Sequence, residues 1–292
     1  MTWVAWRVQR LQYLVAVGVL LAIGLWLTLS GSNGHSSWAQ ASGPGDIFVM
    51  SALPGLLGLA LGASLVAEEF HRGTNRLAWS QSISRMRWLE SKLAVGAVVV
   101  CSLTGLLVPL MGWWSGALNT GLDVQPKLFD ITGVVIVGYA LFALMLGAAL
   151  GAVIHKPGWA FAAGVPIFAL VRLAVGALRS SLVSPVSLSK SFQTSEPNGW
   201  VLHYGYLPFG RTTPAAGGTW FGLPAQAAAC FSRVSSAAGE AHCVLIAHLH
   251  WVWQYQPESH YWSLQWAETA IFVGLALVGL VATLVAVRHQ QA

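Results

Sequence analysis

The sequence predicts an all-α membrane protein: six transmembrane helices, an N-terminal helix in the headgroup layer, a short cytoplasmic helix, and a mixed, partly irregular extracellular cap between the fifth and sixth spans. Three observations lead there. The 292 residues are 55% hydrophobic and only 9% charged, where soluble domains carry about 25% charged residues. Six apolar runs are each long enough to span a bilayer, which takes roughly 20 residues. Lys and Arg are distributed unequally between the segments that join those runs.

The runs cover about 11–30, 47–67, 93–114, 131–154, 158–178 and 265–287. The first follows Arg7 and Arg10 and exceeds the roughly 7–15 residues of a signal-peptide core, so it is expected to remain as a span. Before it, Trp3 and Trp6 stand with the two arginines. That pattern fits a helix lying in the interface, and equally a simple flanking anchor. The second run contains Pro54–Gly55, the third Pro109 and the fifth Pro166. Such breaks are tolerated where neighbours re-satisfy the backbone, either as kinks around a cavity or as packing adjustments. Gly58/Gly62 and Gly147/Gly151 are spaced four apart, which permits close helix approach.

Orientation follows from the basic residues. With the N-terminus inside, the inner segments hold Arg7, Arg10, Arg72, Arg76, Arg85, Arg87, Lys92, Lys156 and Arg288, nine in all, against five outside: Lys127, Arg179, Lys190, Arg211 and Arg233. Gly31 to Asp46 contains no Lys or Arg. Both termini are thus expected in the cytoplasm and the chain in the cell membrane. The Lys and Arg residues sit at the ends of apolar runs rather than on one polar face, which argues against a nucleic-acid partner.

The long segment 179–264 begins rich in Ser, Gly, Pro and Ala and ends rich in aromatics, with Trp251, Trp253, Tyr255, Tyr261, Trp262 and Trp266. Tyr and Trp favour the membrane interface, so the cap is expected to fold down onto the bilayer with short helices or strands. Cys230 and Cys243 share this segment. In an oxidising compartment they are expected to form a disulfide, while Cys101 reads as a small core residue. His242, His248 and His250 lie near Cys243, but their spacing matches no standard site and no metal is expected.

The chemical motifs that are missing narrow the function. Of four lysines only Lys190 precedes Ser or Thr, and Ser189 stands where a P-loop has Gly. The chain has no ATP site of that kind, and no G-x-S-x-G or H-E-x-x-H. No histidine is mid-span, which disfavours axial haem ligation. An enzyme is not expected. Arg172 is the one basic residue inside a run. It either faces a substrate path, paired with Glu268 at the start of the last span, or extends its long stem to water.

The loop Glu68–Lys92 is the most polar stretch between the first and last spans. Gly73 is expected to break the helix leaving the membrane, and Thr74 to cap a short helix over 75–80. Leu77, Trp79 and Ile83 would supply its apolar contacts. Arg85 and Arg87 begin the next helix, against the macrodipole's preference for acids. Anionic lipid or an acidic partner surface would favour them there. A plain positive-inside loop explains the arginines but not Glu68–Glu69.

Glu69, Arg72-Gly73-Thr74, Ser84-Arg85 and Lys92 together resemble the loop of ABC-2-type permeases, the membrane subunits of bacterial ABC exporters. Tyr255-Gln256-Pro257, Tyr261-Trp262, Gln265 and Glu268 are similar to permeases of this kind from high-GC bacteria. The sequence departs from that pattern at His260, where a basic residue is common, and at Gln81-Ser82-Ile83, where a Pro usually precedes S-R. The resemblance implies a six-span permease that dimerises with a second copy or paralogue and sits on two ATPase subunits, which hold the ATP and Mg. It implies a coupling helix in this loop, and Glu68, Glu69, Arg72, Gly73, Thr74, Arg76 and Arg85 are the residues expected to make the contact or cap the helix. It implies export of an amphipathic or hydrophobic, antibiotic-like compound. A membrane anchor, immunity or sensor subunit that transports nothing is the alternative from another class.

Overall fold

The computed structural model describes residues 44–72, 85–117, 124, 129–190, 197–213, 225–234 and 237–289, with positions 14, 18, 24 and 25 in the first apolar run. Five helices among these are long and apolar enough to cross a membrane. They belong to α1 (Pro44–Arg72), α2 (Arg85–Ala117), α3 (Val135–Ile154), α4 (Pro157–Leu182) and α7 (Tyr261–His289). Most of the expected first span and the N-terminal helix lie outside the described residues, as does the expected helix over 75–80. The chain is an integral membrane protein with two compact units: one holds 1–122, 127–179 and 263–292, the other 123–126 and 180–262.

The helix ends differ from the apolar runs in instructive ways. α2 starts at Arg85 rather than at 93, so Arg87, Glu90 and Lys92 are helical. Lys92 is buried, with its ammonium 4.5 Å from the Trp88 ring centre. α3 starts at Val135 rather than 131 because Gly133 has φ +83°, outside helical space. α4 begins with Pro157, which lacks the N–H that a first helical residue would leave unbonded anyway. It extends past 178 to Leu182 and takes in Arg179, which the apolar run had left in the outer segment. Pro54, Pro109 and Pro166 all sit within continuous helices.

α3 is the centre of the membrane unit: 72% of its span is buried, against 17% for α4. Glycine spacing explains its contact with α1. A Cβ on Gly62 would overlap the Leu144 carbonyl, one on Gly58 the Ala140 carbonyl, and one on Gly151 would lie 2.9 Å from the Ala63 carbonyl. The contacts advance together along both helices, so α1 and α3 run parallel, backbone against backbone. Gly138 against Thr269 and Phe272, and Gly279 against Met145, make α7 parallel to α3 as well. Gly55 meets Phe168 and Gly164 meets Leu59, so α4 is antiparallel to α1. Hydroxyls within these helices donate to their own backbone: Thr104 to Val100, Thr269 to Gln265 and Thr283 to Gly279. This spares a lipid-embedded helix an unpaired donor.

The second unit is mixed rather than all-helical. β1 (Val186–Lys190) and β2 (Trp200–Pro208) flank β3 (Leu249–Gln256), giving an antiparallel sheet in the order β1-β3-β2. Two short helices, α5 (Ala225–Phe231) and α6 (Ala237–Ile246), are joined by a Cys230–Cys243 disulfide with Cα atoms 5.7 Å apart. Val244 and Leu249 form its small core with Tyr206 and Phe231. Within this unit the Gln256 amide donates to the Ser180 and Val183 carbonyls at 3.2 and 2.6 Å. Trp251 and Trp253, expected at a lipid interface, are buried in this unit, while Trp262 and Trp266 are exposed on α7.

The close α1–α3 contact leads to a direct comparison. Gly62→Ala is expected to destabilise the protein by about 1–3 kcal/mol through overpacking. Gly105→Ala, where a Cβ meets nothing within 4 Å, is expected to be neutral or slightly stabilising. Thermal unfolding of both variants in lipid nanodiscs checks this.

Candidate functional site

Arg172 and Arg179 are seven residues apart on α4. Two turns of 3.6 residues put them on one face. That face meets two acids, Asp130 in the turn before α3 and Glu268 in the second turn of α7, and Tyr139 on α3. All five groups gather at one end of the membrane unit, the end opposite to Glu68 and Lys92.

Arg179 grips Glu268 with a two-pronged contact: Nε donates to Oε2 at 2.7 Å and Nη2 to Oε1 at 3.0 Å. Nη2 also donates to Asp130 Oδ1. The Tyr139 hydroxyl donates to Glu268 Oε1 at 2.6 Å and lies 3.1 Å from Asp130 Oδ1. Arg172 Nη2 stands 3.2 Å from Asp130 Oδ2, and its Nη1 donates to the Ser51 carbonyl on α1 at 2.6 Å. Each guanidinium also covers a ring, Arg172 over Tyr139 at 4.4 Å and Arg179 over Phe129 at 4.3 Å. Two cations and two anions balance. Glu268 is wholly buried and Arg179 nearly so, while Asp130 and Arg172 form the more open edge.

A second device fixes Asp130. The Gln265 side chain on α7 accepts the Val135 N–H at 3.0 Å and donates to the Phe129 and Thr132 carbonyls at 3.1 and 2.9 Å. Val135 opens α3, and its N–H is one of those a helix start leaves unbonded. Gln265 therefore acts as a cap from another helix. It stands three residues before Glu268, so the two share a face of α7. One helix face thus holds the turn and neutralises the arginine beside it.

A charge inside a membrane is costly and marks function or a specific structural demand. In this network every charged group has partners, so the arrangement holds α1, α3, α4 and α7 together at one end. It contains no nucleophile–base pair. The sequence singled out Arg172 and Glu268 and paired them with each other. The structure brings both into one cluster but gives Glu268 to Arg179, which lies two turns nearer that helix end. Arg172 is turned inward to Asp130 and Ser51 rather than outward to water. Asp130, Tyr139, Arg179 and Gln265 were not singled out as site residues. The seven-residue spacing of the arginines and the three-residue spacing of Gln265 and Glu268 were the available signals.

At the other end, Glu68 on α1 is half-buried and acts electrostatically on Lys92 of α2. Glu69, Arg72 and Arg85 have helical backbone, but their side chains, and all of Gly73, Thr74 and Arg76, lie outside the described residues. In the sheet unit His242 is exposed, His248 takes φ +49° and His250 stacks on Phe209 at 5.4 Å. Among the described residues no three His, Cys, Asp or Glu side chains could hold a metal together.

The fold is thus that of a polytopic helical membrane protein with a packed, charge-neutral cluster at one end of its bundle. The family model described as ABC-2 membrane transporter related matches residues 32–179, half of the chain, and the chain belongs to that family: it is a membrane transporter-related protein of ABC-2 type. The matched span includes Ser51, Asp130, Tyr139, Arg172 and Arg179, while Glu268 and Gln265 fall after it. No curated protein and no solved structure matches the chain.

Removing one partner of a buried ion pair costs about 3–5 kcal/mol, while replacing both by apolar groups is often neutral. Arg179→Met and Glu268→Met are therefore each expected to be strongly destabilising. The double variant, which leaves Arg172 with Asp130, is expected to be more stable than either single one. Unfolding midpoints of the three variants in nanodiscs measure this.

Proposed function

We propose that this chain is the permease subunit of an ATP-driven exporter. A separate ATPase, present in two copies with its ATP and Mg, would dock beneath a pair of permease chains, either identical or paralogous. The reading rests chiefly on membership of the ABC-2 family. The absence of a P-loop from the sequence supports a source of work on another chain.

On this reading the loop between α1 and α2 faces the cytoplasm, as do both termini, in the cell membrane. Glu68, Glu69, Arg72, Gly73, Thr74, Arg76 and Arg85 would contact the ATPase, as acid and base partners and as the cap and break of a coupling helix. ATP-driven closure of the ATPase pair would push that helix. Between Glu68 and Ser51 α1 is one continuous helix, about 26 Å at 1.5 Å per residue. Its far end offers the carbonyl that Arg172 holds. A push on the loop would therefore be resisted and redirected at the charge cluster, tilting α1 and α2 about a fixed outer end.

The exported compound would be amphipathic or hydrophobic and antibiotic-like. Arg172 and Glu268 would set the shape of the outer gate rather than meet the cargo as free charges, since both are bound up in the network.

Glu69→Ala and Arg72→Ala are each expected to slow export by at least about tenfold, equivalent to about 1.4 kcal/mol, while membrane insertion and expression stay unchanged. Transport into inverted vesicles carrying the permease and its co-purified ATPase is the measurement. Full transport by both variants would remove the coupling role from this loop.

A further inference from the structure

Prolines lie inside three of the long helices: Pro54 in α1, Pro109 in α2 and Pro166 in α4. Pro109 and Pro166 stand on exposed faces, while Pro54 and Gly55 are buried. Pro54 has no N–H to return to the Met50 carbonyl, and its ring crowds that oxygen. The turn 50–54 is therefore one donor short. Gly55 follows, and glycine is the weakest helix former after proline.

Yet α1 runs unbroken from Pro44 to Arg72. Its support comes from α4, through contacts spaced one turn apart in antiparallel order: Gly164 with Leu59, Phe168 with Gly55 and Arg172 with Ser51. Phe168 lies against the bare backbone of Gly55, where a Cβ would overlap its ring. Arg172 is the member of this ladder that reaches the other side of the proline. Its Nη1 donates to the Ser51 carbonyl at 2.6 Å, inside the turn that Pro54 leaves short. Asp130 Oδ2 steadies the same guanidinium from 3.2 Å, and the Tyr139 ring lies beneath it. Away from α4, Pro54 and Leu57 face an apolar groove against Val100 and Leu103 of α2.

We propose that Pro54–Gly55 is a hinge in α1 and that Arg172 is its latch, a positioning residue that keeps the helix straight across the break. Pairing with Asp130 accounts for Nη2 but not for Nη1, which is committed to the one turn of α1 that lacks a donor. Breaks in membrane helices are tolerated where neighbouring helices meet the freed backbone groups. Here the neighbour is the tip of a long side chain, a single directional contact that can be released. The glycine packing of Gly58 and Gly62 on α3 is spread over several turns and has no such release. Freeing Ser51 from Arg172 therefore lets the turns 44–53 bend away, while the part of α1 after Gly55 stays on α3. Under the transport reading this hinge is where displacement carried along α1 reaches its outer end. The hinge itself does not depend on that reading.

The test is amide hydrogen exchange of the full chain in lipid nanodiscs, with no ATPase present. Arg172→Met is expected to speed exchange of the amides in 52–58 by at least about tenfold and to leave those in 62–70 within about twofold. Pro54→Ala returns a donor to the turn and is expected to slow the amides in 52–58 by at least about threefold. In the Pro54→Ala background, Arg172→Met is expected to change them by less than about threefold. A residue that merely balances Asp130 acts equally in both backgrounds, so this coupling separates a latch from a counter-charge. The proposal is overturned if Arg172→Met leaves 52–58 unchanged, or if its effect is the same in the Pro54→Ala background. Should Arg172→Met fail to fold, Pro54→Ala decides the matter alone, and unchanged exchange at 52–58 overturns the hinge. A failure of the transport reading leaves each of these outcomes as it is.

Discussion

The contact between Arg179 and Glu268 places the strongest demand on this structure. Glu268 is fully removed from solvent and Arg179 almost so. In such surroundings a lone charge is far more expensive than in water, and the balance is restored only by near-ideal geometry. The two-pronged guanidinium contact supplies part of it, and the Tyr139 hydroxyl and Asp130 supply the rest. Once those partners are required, the placement of four helices at that end is constrained: α4 must present its two-turn face, α7 its first turns, α3 its buried tyrosine, and α1 the Ser51 carbonyl.

Apolar packing alone does not set such positions. Lipid is as apolar as leucine, so helix association in a membrane draws on close van der Waals contact and polar pairing. The unit uses both, at different depths. Along α1 and α3, glycines bring two parallel backbones into contact over several turns. At the end beyond, the charge network and the Gln265 cap fix the turn that opens α3. The first device sets how closely the helices approach and the second sets their register. Together they give α1 a rigid body between the polar loop after Arg72 and the charge cluster. Under the function proposed above that rigidity has a use, because a permease driven from one side must carry displacement through its helices.

The sheet unit follows a different logic. It is small, and its two short helices have little core of their own, so a disulfide and the Val244–Leu249 cluster hold them in place. β3 carries buried residues on both faces, which suits a central strand with a neighbour on each side. Its tryptophans looked in the sequence like interfacial anchors. In the fold they pack against tyrosines across a strand pair, and the tryptophans left exposed are Trp262 and Trp266 on the last helix. Composition shows that a residue is aromatic and near a membrane segment; strand pairing decides which way it faces.

Five of the predicted spans were legible because hydrophobic length is a local property that every residue of a run reports. The close-packing glycines were legible as spacings, and Cys230 and Cys243 as a pair within one segment. Helix ends were less so: Gly133 stops α3 by its own dihedral angle and Gln265 by a bond made from 130 residues away, while Arg179 lies one residue beyond an apolar run that the helix simply continues through. The sequence by itself determined that this chain lives in a membrane, and named Arg172 and Glu268 as its unusual charges. Only the tertiary structure decided their partners. Ion pairing depends on which faces of distant helices meet, and the energy that selects those faces arises after the helices have packed and water has been excluded.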